Sequence, residues 1–119
     1  MANPHVSDLQ SLVGRLAVRI GGTEAIACKR FFGGAAAYVD GRIFMTLTPV
    51  GLALKLPEHE RKLLLAKGAR PLRYFPKAPI KKEYVILPDS LAADEGALAA
   101  QVEASMSFVL GRTKADEAT

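Results

Sequence analysis

The chain has few of the residues from which disulfide frameworks, metal centres and membrane spans are built. Its 119 residues include one cysteine, two histidines and no tryptophan. A single cysteine excludes an internal disulfide and fits a reducing compartment. No apolar run is long enough to span a bilayer, and the N-terminus lacks the basic start and apolar stretch of a signal peptide. We therefore expect a cytoplasmic protein that makes no contact with a membrane.

Length and composition predict a single domain. Half of the residues are apolar, so one hydrophobic core can form without disulfides or a metal ion. No internal repeat and no long linker divides the sequence. We predict one domain over residues 1–119, with a polar end from 112 to 119 that frays.

Acidic residues are missing from one long segment. Residues 61–82 hold eight basic and no acidic side chains, whereas residues 83–119 hold two basic and seven acidic ones. Such a block is typical of nucleic-acid binding, in which lysines and arginines neutralise phosphates and neighbouring aromatic rings stack on bases. The alternative is an ordinary solvated surface. The candidate nucleic-acid-binding residues are Arg70, Arg73, Lys77, Lys81 and Lys82, interleaved with Tyr74 and Phe75.

Residues 31–56 predict three strands joined by two tight turns. Asp40-Gly41 lies between two apolar runs and is a strong hairpin signal, because a type I′ turn needs positive φ at both central positions. Residues 48–51 supply a second turn, in which proline fixes φ and glycine relieves strain. The register that follows is Val39 opposite Arg42, Tyr38 opposite Ile43, Ala36 opposite Met45, and Leu47 opposite Leu52.

This register distributes the side chains over two sheet faces. The face predicted to carry the core consists of Tyr38, Ile43, Met45, Leu47, Leu52, Leu54 and Leu56. The other face consists of Ala37, Val39, Phe44, Thr46, Ala53 and Lys55. Because this second face is semi-apolar, we predict either a surface that the 70–82 loop or a helix covers, or a partner-binding surface formed by Val39, Phe44, Thr46 and Ala53.

Apolar periodicity predicts helices on both sides of the meander in the sequence. The first runs from residue 4 or 7 to 20 and the last from 90 or 94 to 111. Pro57 predicts the start of another helix, which ends near 67. Further strands are predicted at 25–31 and 83–87, with a short one around 72–75. This order predicts an α+β domain, an antiparallel meander with helices packed mainly on one face.

Side chains that support catalysis or metal binding are few and follow no established motif. Cys28 with His59 as base is a minimal nucleophilic pair, but the alternative is a small buried hydrophobe. His5 and His59 lack metal-ligand spacing. Arg30 with Gly33-Gly34 indicates either an anion-binding nest or a strand bend that glycine permits. We therefore predict no catalytic residue, no cofactor, no metal site and no enzyme.

A set of short motifs, in this order, resembles the N-terminal domain of the TfoX/Sxy family. They are Phe32-Gly33-Gly34, Tyr38, Asp40-Gly41-Arg42, Phe44, Leu52-Ala53-Leu54-Lys55-Leu56, Gly68-Ala69-Arg70-Pro71, Tyr84 and Leu87-Pro88. The resemblance extends from about residue 9 to 110, although Ile80 stands where similar sequences often have Met. It implies a stand-alone α+β domain associated with regulation of competence for DNA uptake, in which the namesake acts as a transcriptional co-activator. It supplies no catalytic residues.

Two functional hypotheses follow from these observations. The first is a non-enzymatic regulatory or protein-interaction domain that binds a protein partner or a second copy of itself as a homodimer. The alternative is a small module that binds the phosphate backbone of a nucleic acid through the basic 61–82 segment. An enzyme ranks last.

Overall fold

A computed structural model describes residues 4–21, 25–31, 33–73, 75 and 77–111. The predicted fraying of residues 112–119 lies outside the described residues, as do Phe32 and Tyr74. Within the described ranges, no helix is both long enough and apolar enough to cross a membrane.

The described residues form four helices and one six-stranded antiparallel sheet. The helices are α1 (Pro4–Leu16), α2 (Glu58–Ala66), α3 (Asp89–Ala92) and α4 (Glu95–Leu110). The strands are β1 (Ile26–Phe31), β2 (Gly34–Val39), β3 (Arg42–Thr48), β4 (Gly51–Lys55), β5 (Arg70–Leu72) and β6 (Lys81–Ile86). Their order in the sheet is β1-β2-β3-β4-β6-β5. The predicted α+β class and the central meander are confirmed.

Several element boundaries differ from the sequence-based prediction, among them β6, which covers 81–86 rather than 83–87. Helix α1 ends at Leu16 rather than Ile20, although a turn follows in which the Ile20 N–H donates to the Leu16 carbonyl at 3.0 Å. Strand β5 covers 70–72 rather than 72–75, because Arg70 and Pro71 pair with Ile86 and Val85 of β6. An additional short helix, α3, follows Pro88.

Both turns of the meander lie where the sequence predicts them. Asp40 has φ 50° and Gly41 has φ 76°, the combination that a type I′ turn requires. At the second turn Thr48 pairs with Gly51, so the loop is shorter than the predicted four residues. The predicted pairs next to the turns, Val39–Arg42, Tyr38–Ile43 and Leu47–Leu52, are confirmed.

Strand β3 contains a bulge at Phe44. Tyr38 pairs with Ile43, but the neighbouring Ala37 pairs with Met45, so that Phe44 is the extra residue in the ladder. The predicted Ala36–Met45 pair is therefore wrong, because Ala36 pairs with Thr46. A bulge turns two successive side chains toward the same side of a sheet. The strict alternation assumed in the sequence argument fails at this residue.

The four described helices lie on one side of the sheet. Helix α1 packs against β1, β2 and β3, α4 against β3 and β4, α2 against β6, and α3 against α4. The core that they enclose contains Leu9, Leu16, Ala37, Val39, Phe44, Met45, Leu54, Leu56, Leu64, Val85, Leu98 and Val102. We call this side the helix-covered face and the other side the open face. By strand alternation the open face carries Lys29, Tyr38, Ile43, Thr46, Ala53, Lys55, Tyr84 and Ile86.

The bulge corrects the predicted distribution of side chains between the two faces. Val39 and Phe44, predicted on the second face, lie in the core with relative exposures of 2% and 0%. Tyr38 and Ile43, predicted in the core, lie opposite each other on the open face and are partly exposed. Ala37, also predicted on the second face, is buried in the core as well. The prediction is wrong for these five residues, since the extra residue at 44 reverses the alternation between one end of β3 and the other.

Candidate protein-binding surfaces

The four residues predicted to bind a partner do not form one accessible surface. Val39 and Phe44 are core residues beneath the helices, so their side chains cannot meet a partner in the folded protein. Thr46 and Ala53 do lie on the open face, where they pair across β3 and β4, but both are fully buried. Among the described residues, the Thr46 Oγ1 atom has no hydrogen-bond partner. Thr46 and Ala53 are therefore the buried base of the open face, beneath its accessible side chains.

The accessible part of the open face consists of aromatic and aliphatic side chains with lysines beside them. Tyr38, Ile43 and Tyr84 are partly exposed there. The Lys29 ammonium lies 5.4 Å from the centroid of the Tyr38 ring, and the Lys55 ammonium lies 6.0 Å from the centroid of the Tyr84 ring. These distances are those of cation–π contacts. Tyrosines with fixed rings are common anchors in protein interfaces.

A small apolar cluster supports one end of the open face. Ala53, Leu72 and Ile86 are buried together, with Val50 and Tyr84 packed against them. Lys55 adds an ion pair, since its Nζ lies 3.4 Å from a carboxylate oxygen of Glu83. The Tyr84 ring therefore packs against this apolar cluster and has the Lys55 ammonium over its face.

The two edges of the sheet differ in their capacity to accept another strand. Strand β5 is three residues long and contains Pro71, which has no N–H to donate. Strand β1 has six residues and no proline, and its outer edge has no strand partner in the described part of the chain. An edge of this kind presents a row of main-chain donors and acceptors. Strand addition is therefore possible at β1 and obstructed at β5.

A groove of about 560 Å³ runs along the β1 edge, between that strand and α1. It is lined by Gln10, Val13, Gly14, Ala17, Ile26, Ala27 and Cys28, none of which carries a charge at neutral pH. The small residues at 14 and 17 leave space on the side of α1 that faces the strand. At Gly14, an added Cβ would meet no atom within 4 Å.

Cys28 lies in this groove and is not paired with His59. Burial raises the pKa of the Cys28 thiol, which lowers the thiolate fraction at neutral pH. His59 belongs to α2, which packs on β6, four strands away from β1. At about 4.8 Å per strand the two side chains are roughly 20 Å apart. The nucleophile–base pair considered from the sequence is therefore excluded by geometry.

No cluster of three or more histidine, cysteine, aspartate or glutamate side chains suited to a metal ion occurs among the described residues. His5 is in α1 and His59 in α2. The turn at Gly33-Gly34 has a packing explanation, because a Cβ on Gly34 would lie only 2.8 Å from Thr48 Cα. The anion-binding nest with Arg30 remains a prediction that no observation tests.

The basic residues are exposed but divided between two sides of the domain. Arg70, Arg73, Lys77, Lys81 and Lys82 all lie at the surface. Arg70 stands opposite Ile86, which places it on the open face. Lys82 instead lines a groove of about 270 Å³ beside Arg61 and Lys62 of α2. A nucleic-acid strand that follows one side of the domain would therefore meet only part of this set.

The β1 edge and its groove were not predicted from the sequence. The spacing of Gly14 and Ala17 on α1 was the available signal, since residues three apart share a helix side. The spacing of these two small residues indicates a groove only once the sheet order shows that β1 is an edge strand. The exposure of Ile43 and Tyr38 was likewise hidden by the bulge at Phe44.

Comparison with known proteins identifies the family. The model of the TfoX N-terminal domain family matches residues 19–109, most of the chain. The protein belongs to this family, as the motifs between Phe32 and Pro88 indicate. No curated protein matches the sequence.

Proposed function

We propose that this protein is a non-catalytic, regulatory protein-interaction domain. The observation that carries the proposal is the one-sided packing of the described helices, which leaves Tyr38, Ile43 and Tyr84 partly exposed on the open face. Antiparallel sheets can expose one polar face to water without any binding role. Here the partly exposed side chains include two tyrosines and an isoleucine, residue types that are common in interface cores, with Lys29 and Lys55 beside the rings. Membership of the TfoX N-terminal domain family supports a regulatory role, and the link to competence rests on the family resemblance alone.

The separation of Cys28 from His59 is consistent with the non-catalytic part of the proposal. Cys28 and His59 are on opposite parts of the sheet, and burial disfavours the Cys28 thiolate. The partner is either another protein or a second copy of this chain, as a homodimer. Sedimentation at several concentrations separates these two cases, because only self-association changes the mass of the purified protein with its own concentration.

The proposal is tested by capture from the native cytoplasm on immobilised protein, at low and high salt. Ile43→Glu places a charge on the open face, and Ala100→Glu, at an exposed position of α4 on the other side of the sheet, serves as a charge-matched control. We expect a protein retained at high salt by the wild type and the control but not by Ile43→Glu. Retention that is unchanged by Ile43→Glu would contradict binding through the open face.

The alternative function is binding to the phosphate backbone of a nucleic acid. The observation in its favour is the surface exposure of Arg70, Arg73, Lys77, Lys81 and Lys82. It requires that Lys81→Glu with Lys82→Glu weakens binding to single-stranded DNA and flattens its salt dependence. No binding to DNA or RNA at low salt would remove it.

A further inference from the structure

We propose that the groove between α1 and the outer edge of β1 binds an extended acidic peptide segment of a partner protein as an added strand. The inference rests on the proposed protein-binding function and names the chemistry of one partner. Three features of the structure support it: the open strand edge, the shape of the groove and the charge of the strand.

The first feature is the main chain of β1. Residues 26–31 form the inner ladder with β2, while the outer edge has no strand partner among the described residues. In peptide recognition by strand addition, the main-chain hydrogen bonds supply affinity and pockets for alternate side chains supply specificity. Since every pair in this sheet is antiparallel, an added antiparallel strand continues the existing pattern.

The second feature is where alternate side chains of the added strand would lie. Ile26 and Cys28 stand opposite Val39 and Ala37, which are core residues, so they face the helix-covered side. Peptide residues opposite Ile26 and Cys28 would enter the groove beside Gly14 and Ala17. This part of the groove lacks charged lining residues, so it favours two small apolar side chains two positions apart.

The third feature is the positive charge at the end of the strand. Lys29 and Arg30 are exposed, and β1 contains no acidic residue. Opposite charges in directly facing cross-strand positions are favourable and like charges are unfavourable. An acidic pair opposite Arg30 and Lys29, followed by the two apolar residues, therefore gives an antiparallel ligand of the form acid-acid-apolar-any-apolar. A second copy of β1 fits less well, since it would bring four cations and no anion to one short ladder.

The probe for this proposal is the blocked pentapeptide EEVTV, titrated against the wild-type protein. Its control KKVTV has the same length and apolar residues with the charges reversed, and EEPTV loses a main-chain donor within the strand. We expect saturable binding of EEVTV and at least about tenfold weaker binding of both controls. Equal binding of EEVTV and KKVTV would overturn the proposed charge preference and with it the proposal.

Two protein variants localise the binding. Gly14→Leu fills the groove from an open position of α1, and Asp8→Leu places the same side chain at an exposed position of that helix outside the groove. We expect Gly14→Leu to abolish EEVTV binding and Asp8→Leu to leave it unchanged, with both variants folded by circular dichroism. Loss of binding in both variants, or in neither, would contradict the assigned site.

A charge exchange and the single thiol complete the test. The double variant Lys29→Glu with Arg30→Glu is expected to bind KKVTV at least about fivefold more tightly than EEVTV. Because the chain has one cysteine, alkylation of Cys28 reports directly on the groove, and saturating EEVTV should slow it several-fold. An unchanged peptide preference in the double variant, or unprotected Cys28 at saturation, would overturn the proposal.

The capture experiment distinguishes failure of this site from failure of the proposed function. If capture depends on Ile43 but EEVTV does not bind, only the β1 site is refuted. If no protein is captured, the open-face function is refuted.

Discussion

The Ser105 hydroxyl lies 2.9 Å from the carbonyl oxygen of Phe44 and joins α4 to the bulge of β3. The same hydroxyl is 2.7 Å from the Lys55 carbonyl on the neighbouring strand. Ser105 is fully buried, so its single hydroxyl proton is shared between these two carbonyl oxygens of β3 and β4. This hydroxyl therefore connects α4 to the bulge, and the bulge sets which side chains of β3 reach the open face.

Removing the Ser105 hydroxyl should destabilise the domain. We expect Ser105→Ala to lower the free energy of unfolding by about 1–3 kcal/mol, because buried carbonyls lose a hydrogen-bond donor. Urea denaturation followed by circular dichroism measures the change. Ser107→Ala, at an exposed position of the same helix, is the control and should change little. Equal effects of the two substitutions would show that the hydroxyl is not needed at the bulge.

Phe44 tests the corrected assignment of the sheet faces. We expect Phe44→Ala to cost about 3–5 kcal/mol in unfolding free energy, since a fully buried aromatic ring is lost from the core. Phe75→Ala removes a ring that is 61% exposed and should stay within about 0.5 kcal/mol of the wild type. If both substitutions were nearly neutral in chemical denaturation, Phe44 would lie outside the core, on the second face to which the sequence analysis assigned it.

Two glycine-to-alanine substitutions should change stability in opposite directions. At Gly34 the new Cβ would lie 2.8 Å from Thr48 Cα and against the Leu47 carbonyl, so we expect a loss of about 1–3 kcal/mol. At Gly14, inside α1, the Cβ meets nothing within 4 Å, and we expect a gain of about 0.5–1 kcal/mol from helix propensity. Thermal and urea unfolding of both variants give the comparison. Destabilisation by Gly14→Ala would mean that the space beside α1 is filled.

The Cys28 thiol should titrate at higher pH in the folded protein than in the unfolded chain. Burial raises its pKa because desolvation disfavours the thiolate. The protonated form is thus favoured by folding, and the resulting stability is present below the unfolded pKa and is lost as pH rises through the folded pKa. The rate of alkylation against pH, in native buffer and in denaturant, measures the two midpoints. Coincident midpoints would contradict the burial of Cys28.

Local signals in the sequence predicted the turns and the class of fold. Asp40-Gly41 and Pro49 determine chain reversal within a few residues, so their consequences do not depend on the rest of the fold. The bulge at Phe44 is hydrogen-bonded to Ser105, sixty-one positions away in the chain, and no local pattern in the sequence reveals it. The identity of the edge strands is likewise not visible in any local pattern, because β6 inserts between β4 and β5 by a non-local pairing. The candidate site was therefore misplaced onto Val39 and Phe44, although the idea of a semi-apolar open face was derived from the correct strands.

Chemical-shift mapping tests most directly the claim that this domain binds through the sheet rather than through its basic segment. The isotope-labelled protein would be titrated separately with the fraction captured from cytoplasm and with single-stranded DNA. We expect the captured protein to shift the amides around Tyr38, Ile43 and Tyr84, or those of β1, while DNA shifts none of these positions. Changes confined to residues 70–82, produced by DNA and removed by high salt, would contradict the account.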